Sequence, residues 1–334
     1  NFKSPSTSLL VQLLTYDNLM KNDRAVDPSG NRPLDLWNQF SPNFRGMLLM
    51  GISAVVVSIS HTLVRGLSAE IHPMQIGLFR TVIPLFLLIP MLVRQGQQSG
   101  EVWWRTSRPG LQLIRGVFGG LAMMTWFYAL SKIPVGDATA LSFTVVIFAT
   151  VGAALILREQ VGIHRWSAVA IGITGTMIIL RPGIETISLG AIITIISSFF
   201  WAAALLSVKV LSRSDSSTTI VFYSSLTFTA LTAGPAIYYW SWPTWEQSML
   251  LCLVGFLAFV AQMCVTVAIH KAETTAVMPI DFTRLIWASA LGYLWFGEFP
   301  DIWTWVGGCI VFTSTVYITY REGRIRTPNI GSGP

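Results

Sequence analysis

Charged residues are scarce in this sequence of 334 residues. They make up 11% of the chain, whereas soluble domains carry roughly 25%. Hydrophobic residues make up 52%, and the mean hydropathy is +0.59. A chain so poor in charge cannot cover its own surface with groups that water solvates, which excludes a soluble globular protein. Its apolar runs of about 20 residues instead match the length that a helix needs to cross a bilayer.

The sequence also lacks the motifs of common enzymes. It contains no GxxxxGK followed by Ser or Thr, no HExxH and no GxSxG, and its four histidines are scattered singly. No basic stripe is interleaved with aromatics, so we expect no nucleic-acid partner. Three cysteines (Cys252, Cys264 and Cys309) lie within apolar runs without metal spacing or a disulfide framework, which predicts buried free thiols. The sequence therefore predicts no cofactor, no metal site and no enzymatic activity.

The long apolar runs predict an all-α polytopic membrane protein with ten transmembrane helices. Pro134, Pro182, Pro243 and Pro300 fall at the breaks, where proline stops or starts a helix without losing an interior hydrogen bond. The predicted spans are 46–64, 73–93, 110–130, 134–157, 165–181, 188–210, 218–240, 248–269, 274–296 and 302–320.

The distribution of basic residues predicts the orientation. If both termini are cytoplasmic, 16 of the 22 Lys and Arg residues fall in inside segments, three fall in outside loops and three fall within spans. The positive-inside bias therefore favours cytoplasmic termini in a multi-pass protein of the cell membrane, with the bacterial inner membrane expected. The net charge of +6 suits inside loops facing anionic lipid in the bilayer. Homo-oligomerisation stays open.

The chain contains an internal repeat. Shifting residues 122–176 by 139 onto 261–315 gives 15 identities in 55 positions, and some involve residue types that apolar bias does not explain. Examples are Lys132/Lys271, Glu159/Glu298 and Trp166/Trp305. Each half has five predicted spans, an odd number, so the two copies should be inverted relative to each other. The predicted units are a polar tail (1–45), two five-helix repeats (46–181 and 188–320) and a basic tail (321–334).

Two related stretches carry a resemblance to a known family. They are "WFYALSKIPVGDATALSFTVVIF" with "LREQVGIHRW", and "AIHKAETTAVMPIDFTRLIWASALGYLWFGEFPDIWTWVG". Residues 46–320 resemble the EamA-type carriers of the drug/metabolite transporter superfamily. The resemblance implies alternating access around a central cavity that the first four helices of each half line. It also implies amino-acid-like or nucleoside- and flavin-like substrates, often moved outward, so export of a small molecule is expected. A channel-like facilitator and a membrane enzyme or sensor remain alternatives.

Charged residues within the spans are the first candidates for the substrate site. Asp281 and Arg284 lie three residues apart, so they can form a pair that either lines a polar cavity or braces the ninth helix. Their shifted counterparts, Ser142 and Val145, are uncharged. Arg80 lies about 12 Å into its span, where it could meet a carboxylate or phosphate or bond to helix carbonyls. Arg115 is near a span end and is expected to snorkel.

Polar and aromatic side chains in the core helices are the second group of candidates. Trp126 and Trp201 are deep enough to stack on a flat substrate, and Tyr223 and Gln262 join them as proposed substrate-binding residues, although packing is the commoner role for each alone. His61 is a further polar residue in a core helix. The repeated Glu159 and Glu298 are interpreted as loop-tying residues rather than coupling residues. Residues 116 and 120 form a GxxxG face that predicts close helix packing.

Overall fold

The computed structural model describes residues 40–99, 106–156, 163–181, 188–211, 214–215, 217–272 and 280–325. Every regular element within these ranges is helical. The helices are α1 Pro42–Leu67, α2 Pro73–Ser99, α3 Pro109–Leu130, α4 Val135–Ser142, α5 Val145–Leu155, α6 Ile163–Leu180, α7 Leu189–Leu211, α8 Ser217–Tyr238, α9 Trp245–Lys271, α10 Thr283–Phe296 and α11 Ile302–Ile325. Residues 1–39 and 326–334 of the predicted tails lie outside the described residues. Each predicted span therefore overlaps at least one observed helix, although several bounds differ.

The hydropathy of these helices confirms a polytopic helical membrane protein. Seven helices among the described residues are long and apolar enough to cross a membrane, and α4 and α5 together form one of them, over Val135–Leu155. Shorter apolar helices cover Trp166–Leu180 and Ile302–Ser314. Length and composition thus identify most of the predicted spans individually.

Local capping explains where several helices begin. Ser41 caps α1 by accepting a hydrogen bond from the Phe44 backbone N–H at 3.3 Å. Thr244 caps α9 in a capping box, in which the Gln247 side chain accepts from the Thr244 backbone N–H. These side chains satisfy backbone donors that a helix start leaves without intrahelical partners. The first cap places the start of α1 at residue 42, four residues before the predicted boundary.

Helices from the two sequence halves interlock. α3 packs on α7, α1 packs on α9, α6 packs on α11, and α8 contacts both α2 and α3. A buried apolar cluster that includes Ile76, Phe127, Leu141 and Leu251 joins both halves. The core of the bundle is therefore shared between the halves rather than divided into two separate cores.

The glycines of α3 allow α8 to approach closely, which confirms the packing role predicted for the GxxxG face. A Cβ atom added at Gly116 would lie 2.5 Å from Thr227 Cβ, and one added at Gly120 would lie 2.6 Å from a Leu231 methyl carbon. Small residues permit such contacts because they let two helix backbones approach closely. Close packing matters in a bilayer because lipid provides no hydrophobic driving force between helices.

The fourth span differs from its prediction as a single helix over 134–157. The helix is interrupted at Phe143 and Thr144, which separate α4 from α5. The Thr144 hydroxyl donates to the Leu141 carbonyl at 2.7 Å, and such a side-chain bond competes with the regular helical ladder. A similar turn at Phe282 precedes α10, where the Thr283 hydroxyl donates to the Ile280 carbonyl at 2.8 Å. Residues 274–279 of the predicted ninth span lie outside the described residues.

The two helix interruptions meet inside the bundle. The ring centroids of Phe143 and Phe282 are 4.3 Å apart, and Phe312 of α11 lies 4.6 Å from Phe282. The Ser198 hydroxyl of α7 donates to the Ser142 carbonyl at 3.3 Å, and the Ser58 hydroxyl of α1 donates to the Arg284 carbonyl at 3.2 Å. Hydroxyl groups from neighbouring helices therefore pair with backbone carbonyls beside both interruptions.

Candidate functional site

Three of the predicted site residues converge on His61, a buried histidine of α1 that is 5% exposed. The Trp126 indole N–H donates to His61 Nε2 at 3.3 Å, and the two rings meet edge to face with centroids 5.2 Å apart. The charges of Arg80 and Arg284 both lie close enough to act on the imidazole. We call His61, Arg80, Trp126 and Arg284 the central cluster.

The hydrogen bond from Trp126 defines the chemical state of His61. Because Nε2 accepts a hydrogen bond, that nitrogen carries a lone pair, and the proton of the neutral ring is on Nδ1. His61 therefore presents an Nδ1–H donor rather than an acceptor to its remaining surroundings.

The arginines of the central cluster come from different halves of the sequence and lie on aromatic rings. The Arg80 guanidinium carbon is 5.3 Å from the Phe127 ring centroid, and that of Arg284 is 5.4 Å from the Phe143 centroid. Both distances fall within the range of cation–π contact. The Nε atoms of both arginines are buried without a hydrogen-bond partner. Each ring thus supports one face of a planar guanidinium group, and at least one donor of that group has no partner.

The predicted pairing of Asp281 with Arg284 is wrong. No ion pair joins these two side chains, although both residues are among those that the structure describes. The prediction assumed a continuous helix, whereas Phe282 forms a turn between them and Asp281 precedes the first residue of α10. Arg284 stacks on Phe143 instead.

Arg115 belongs to a second cluster, and its predicted snorkelling is also wrong. Its guanidinium carbon lies 5.9 Å from the Trp201 ring centroid and 5.7 Å from that of Phe228. Its Nη1 atom occupies the space beside Gly119, one turn further along α3 and away from the helix start. The missing side chain at Gly119 provides the room for this inward position. Trp201 thus contacts Arg115.

The remaining predicted site residues lie on other helices. Tyr223 is in α8, where its ring is 5.6 Å from that of Phe222. Gln262 is in α9 and is exposed on the bundle surface. Sequence reasoning noted His61 only as a polar core residue. An uncharged polar side chain in an apolar run was the available signal, but the spacing alone did not indicate that it would meet Trp126.

An open groove on the outside of α1 and α10 is distinct from the central cluster. It is lined mainly by aliphatic residues with Trp287, and Thr283 is the polar side chain on its wall. No charged residue lines it. Its chemistry suits hydrocarbon better than a polar metabolite, so the central cluster is the better candidate site.

A network centred on Asp215 ties the loop between α7 and α8 to the start of α3. Its carboxylate accepts from the Gln112 amide at 2.7 Å, from the Ser107 hydroxyl at 3.0 Å and from the Thr106 hydroxyl. Burial alone would raise the pKa of Asp215, but the hydrogen bonds that it accepts outweigh burial and hold the pKa below its usual value. We call this network the Asp215 tie.

A second network joins other helix ends. The Gln247 amide at the start of α9 donates to the Glu70 carboxylate, between α1 and α2, at 2.5 Å. We call this contact the Glu70 tie. Arg65, at the end of α1, forms an ion pair with Glu298 and donates to the Leu130 carbonyl at 3.0 Å. The Arg65 contact confirms the loop-tying role predicted for Glu298, whereas its repeat counterpart at position 159 lies outside the described residues.

The cysteines and the acidic residues supply no evident metal site. All three cysteines are free thiols, but the predicted burial holds only for Cys264, because Cys252 and Cys309 are exposed on the bundle. Within the ranges that the structure covers, no group of three or more His, Cys, Asp or Glu side chains is placed to hold a metal ion.

The long apolar helices define a polytopic membrane protein. Comparison with known sequences gives its family. The family model described as the EamA-like transporter family matches residues 44–181 and again residues 188–320, so the chain belongs to that family. The match confirms the resemblance to EamA-type carriers and identifies a membrane transporter.

Similar proteins carry several different transporter names. The chain is 32% identical to a riboflavin transporter of Vibrio cholerae over 249 residues, which cover 74% of this chain and 83% of that one. It is 26% identical to an S-adenosylmethionine uptake transporter of Rickettsia bellii over 279 residues, covering 84% and 94%. It is 28% identical to the pseudopaline exporter CntI of Pseudomonas aeruginosa over 279 residues, covering 82% and 95%. A solved crystal structure is similar at a TM-score of 0.56 with 14% identity, covering 86% of this chain and 98% of the other, and supports the fold alone.

Proposed function

We propose that this protein is a secondary transporter that moves a small organic metabolite across the bacterial cell membrane by alternating access. In this proposal, ten spans form two inverted five-span repeats, 46–181 and 188–320, with both termini in the cytoplasm. The central cluster lies between the repeats and binds the substrate. The observation that carries the proposal is the exchange symmetry of the contacts between the two halves.

The helix contacts follow a consistent exchange rule. Pairing the spans in order exchanges α1 with α7, α2 with α8, α3 with α9, the α4–α5 span with α10, and α6 with α11. Under this rule the contact of α3 with α7 is equivalent to that of α9 with α1, and the contact of α2 with α9 is equivalent to that of α8 with α3. The contact of α1 with α10 is equivalent to that of α7 with α4 and α5. All six contacts occur. Two five-span units of opposite topology account for this pattern, because they are related by a two-fold axis in the membrane plane.

Individual residues follow the same exchange with the 139-residue shift. Phe143 and Thr144 correspond to Phe282 and Thr283, and each threonine bonds a carbonyl three residues earlier. Where α6 crosses α11, a Cβ atom added at Gly175 would lie 2.8 Å from the Gly307 carbonyl oxygen. The 139-residue shift relates Gly175 to Ser314 and Gly307 to Ala168. The Ser314 hydroxyl donates a hydrogen bond to the Ala168 carbonyl at 2.5 Å, so the equivalent positions are also in contact. Such agreement supports a common ancestry of the two halves.

The two ties suit the ends of an alternating-access carrier. Each joins a loop acid of one half to a glutamine near a helix start of the other half: Glu70 with Gln247, and Asp215 with Gln112. The exchange of halves relates the two ties, and in the proposed topology they lie at opposite membrane faces. We propose that one tie opens while the other stays closed as the halves rock around the central cluster.

The substrate is proposed to be a small organic metabolite that contacts Arg80, Trp126 and Arg284. The names of the similar proteins, which include riboflavin, S-adenosylmethionine and pseudopaline transporters, support this size class. Trp201, Tyr223, Gln262 and Asp281, which lie outside the central cluster, remain proposed contributors to substrate binding. We keep export as the proposed direction, with uptake as the alternative, because the similar proteins include an exporter and an uptake transporter.

Flux measurements in proteoliposomes test this proposal. Labelled riboflavin and labelled S-adenosylmethionine are offered separately, with empty liposomes as the background. A carrier predicts that flux of at least one compound saturates with concentration and accelerates when unlabelled compound is present on the opposite side. Flux that rises linearly and ignores the opposite side would favour a channel-like facilitator. Chemical change of the compound without transbilayer movement would favour a membrane enzyme.

A further inference from the structure

The central cluster contains donors of hydrogen bonds and an excess of positive charge. Arg80 and Arg284 contribute guanidinium groups whose Nε atoms are buried without a hydrogen-bond partner, and His61 contributes its Nδ1–H. The imidazole acceptor is already occupied by Trp126. Neither arginine forms an ion pair within the described part of the chain, and Asp281 leaves Arg284 unpaired. The cluster therefore matches a group that accepts hydrogen bonds and carries negative charge.

Two unpaired guanidinium groups in a membrane interior need a counter-ion. Intramembrane charges are costly in hydrocarbon, and they usually pair with each other or mark the path of a substrate or ion. The rings of Phe127 and Phe143 stabilise the cations from one side. They also orient the planar guanidinium groups, whose parallel N–H donors match the geometry of a carboxylate or phosphate.

We infer that the central cluster selects a substrate bearing a carboxylate or phosphate group, which Arg80 and Arg284 share between the two halves. This inference rests on the proposed function of the same site, and it adds the charge of the ligand. One arginine comes from α2 in the first half and the other from α10 in the second half. A bound anion therefore contacts both halves at once and links its own binding to their relative position.

Matched ligand pairs test the inference by equilibrium binding to purified protein in nanodiscs. Riboflavin 5′-phosphate is compared with riboflavin, which lacks the phosphate, and indole-3-acetate is compared with indole-3-acetamide, which lacks the carboxylate charge. The first pair tests a phosphate and the second a carboxylate. A charge-assisted hydrogen bond typically gives about a tenfold or larger gain in affinity, so we expect at least one anion to bind about tenfold more tightly than its neutral partner. Equal affinity within both pairs, or no binding of any of the four compounds, would overturn the inference.

Substitutions assign the preference to the two arginines. Arg80→Gln and Arg284→Gln should each reduce the ratio of anion to neutral affinity, and the double variant should bring it close to one. Arg115→Gln removes another intramembrane arginine, outside the central cluster, and should leave that ratio unchanged. Arg80→Lys and Arg284→Lys keep the charge and should retain part of the preference. Melting temperatures identify variants that fail to fold, and the lysine variants keep the test decisive if a glutamine variant does so.

The binding measurement separates this inference from the proposed function. Saturable flux without any preference for the anions would leave the transporter proposal intact and reject the anion site. Anion binding that depends on Arg80 and Arg284 without any flux would do the reverse. A preference that persists in the double glutamine variant would contradict the assignment to the arginines.

Discussion

Gly116→Ala should loosen the packing of α3 on α8 at a defined contact. The added methyl carbon would lie 2.5 Å from Thr227 Cβ and 2.7 Å from Thr227 Cγ2, and threonine has no flexible chain that could move away. Overpacking of this kind costs about 1–3 kcal/mol. Alanine favours a helix over glycine by about 1 kcal/mol, so the net loss in the free energy of unfolding should be about 0–2 kcal/mol. Thermal unfolding in detergent, followed by intrinsic tryptophan fluorescence, measures it.

Two further variants isolate the steric contact. Gly110→Ala changes an exposed glycine at the start of the same helix, where an added Cβ atom meets nothing within 4 Å, so it should not destabilise the protein. Thr227→Gly removes all three clashing atoms, so adding it to Gly116→Ala should cost less than the two separate effects predict. Equal melting temperatures for Gly110→Ala and Gly116→Ala, or strictly additive effects in the double variant, would refute the close contact.

Three other predictions concern the ends of the bundle. The pKa of Asp215 is lower in the folded protein than its unfolded value of about 4, so the ionised carboxylate stabilises the fold above about pH 4 and this stability is lost as pH falls through the folded pKa. Asp215→Asn should therefore flatten the decline of melting temperature in acid. An unchanged acid profile would argue against the Asp215 tie. Arg65→Gln removes the ion pair with Glu298 and should lower the free energy of unfolding by about 0–1 kcal/mol, the range of a solvated pair, with a matching fall in melting temperature. Adding Glu298→Gln should cost little more, because the pair is already broken. Fully additive effects of the two substitutions would contradict the pair. A cysteine replacing Lys132 should react with an impermeant thiol reagent from outside, and a cytoplasmic reporter fused after residue 321 should be active; the opposite result for either would reverse the topology.

Most of the helical framework could be predicted because long apolar runs match the length of a helix that crosses a bilayer. The break in the fourth span could not, because Phe143 and Thr144 lie in an apolar run that any continuous helix could contain. Only the bundle reveals that Phe143 meets Phe282 at 4.3 Å, where the second interruption provides its partner. The 139-residue shift had aligned these two phenylalanines without indicating contact between them.

The candidate site was predictable in composition but not in arrangement. Sequence singled out Arg80, Trp126 and Arg284 because charged and aromatic residues are unusual in spans. It predicted an ion pair between Arg284 and Asp281, because residues three apart face each other on a regular helix. The turn at Phe282 interrupts the helix between them, so that geometry does not apply. The role of His61 depends on a hydrogen bond between residues 65 positions apart, which local spacing does not encode.

State-selective cross-linking tests the central claim that the two halves alternate around a closed site. In a background with Cys252, Cys264 and Cys309 replaced by serine, one variant carries cysteines at the Glu70 tie (positions 70 and 247) and another at the Asp215 tie (positions 215 and 112). Both pairs are joined with a short, reducible thiol cross-linker before flux is measured in proteoliposomes. Alternating access predicts that either cross-link alone stops saturable flux and that a reducing agent restores it. Undiminished flux in both cross-linked variants would contradict the account.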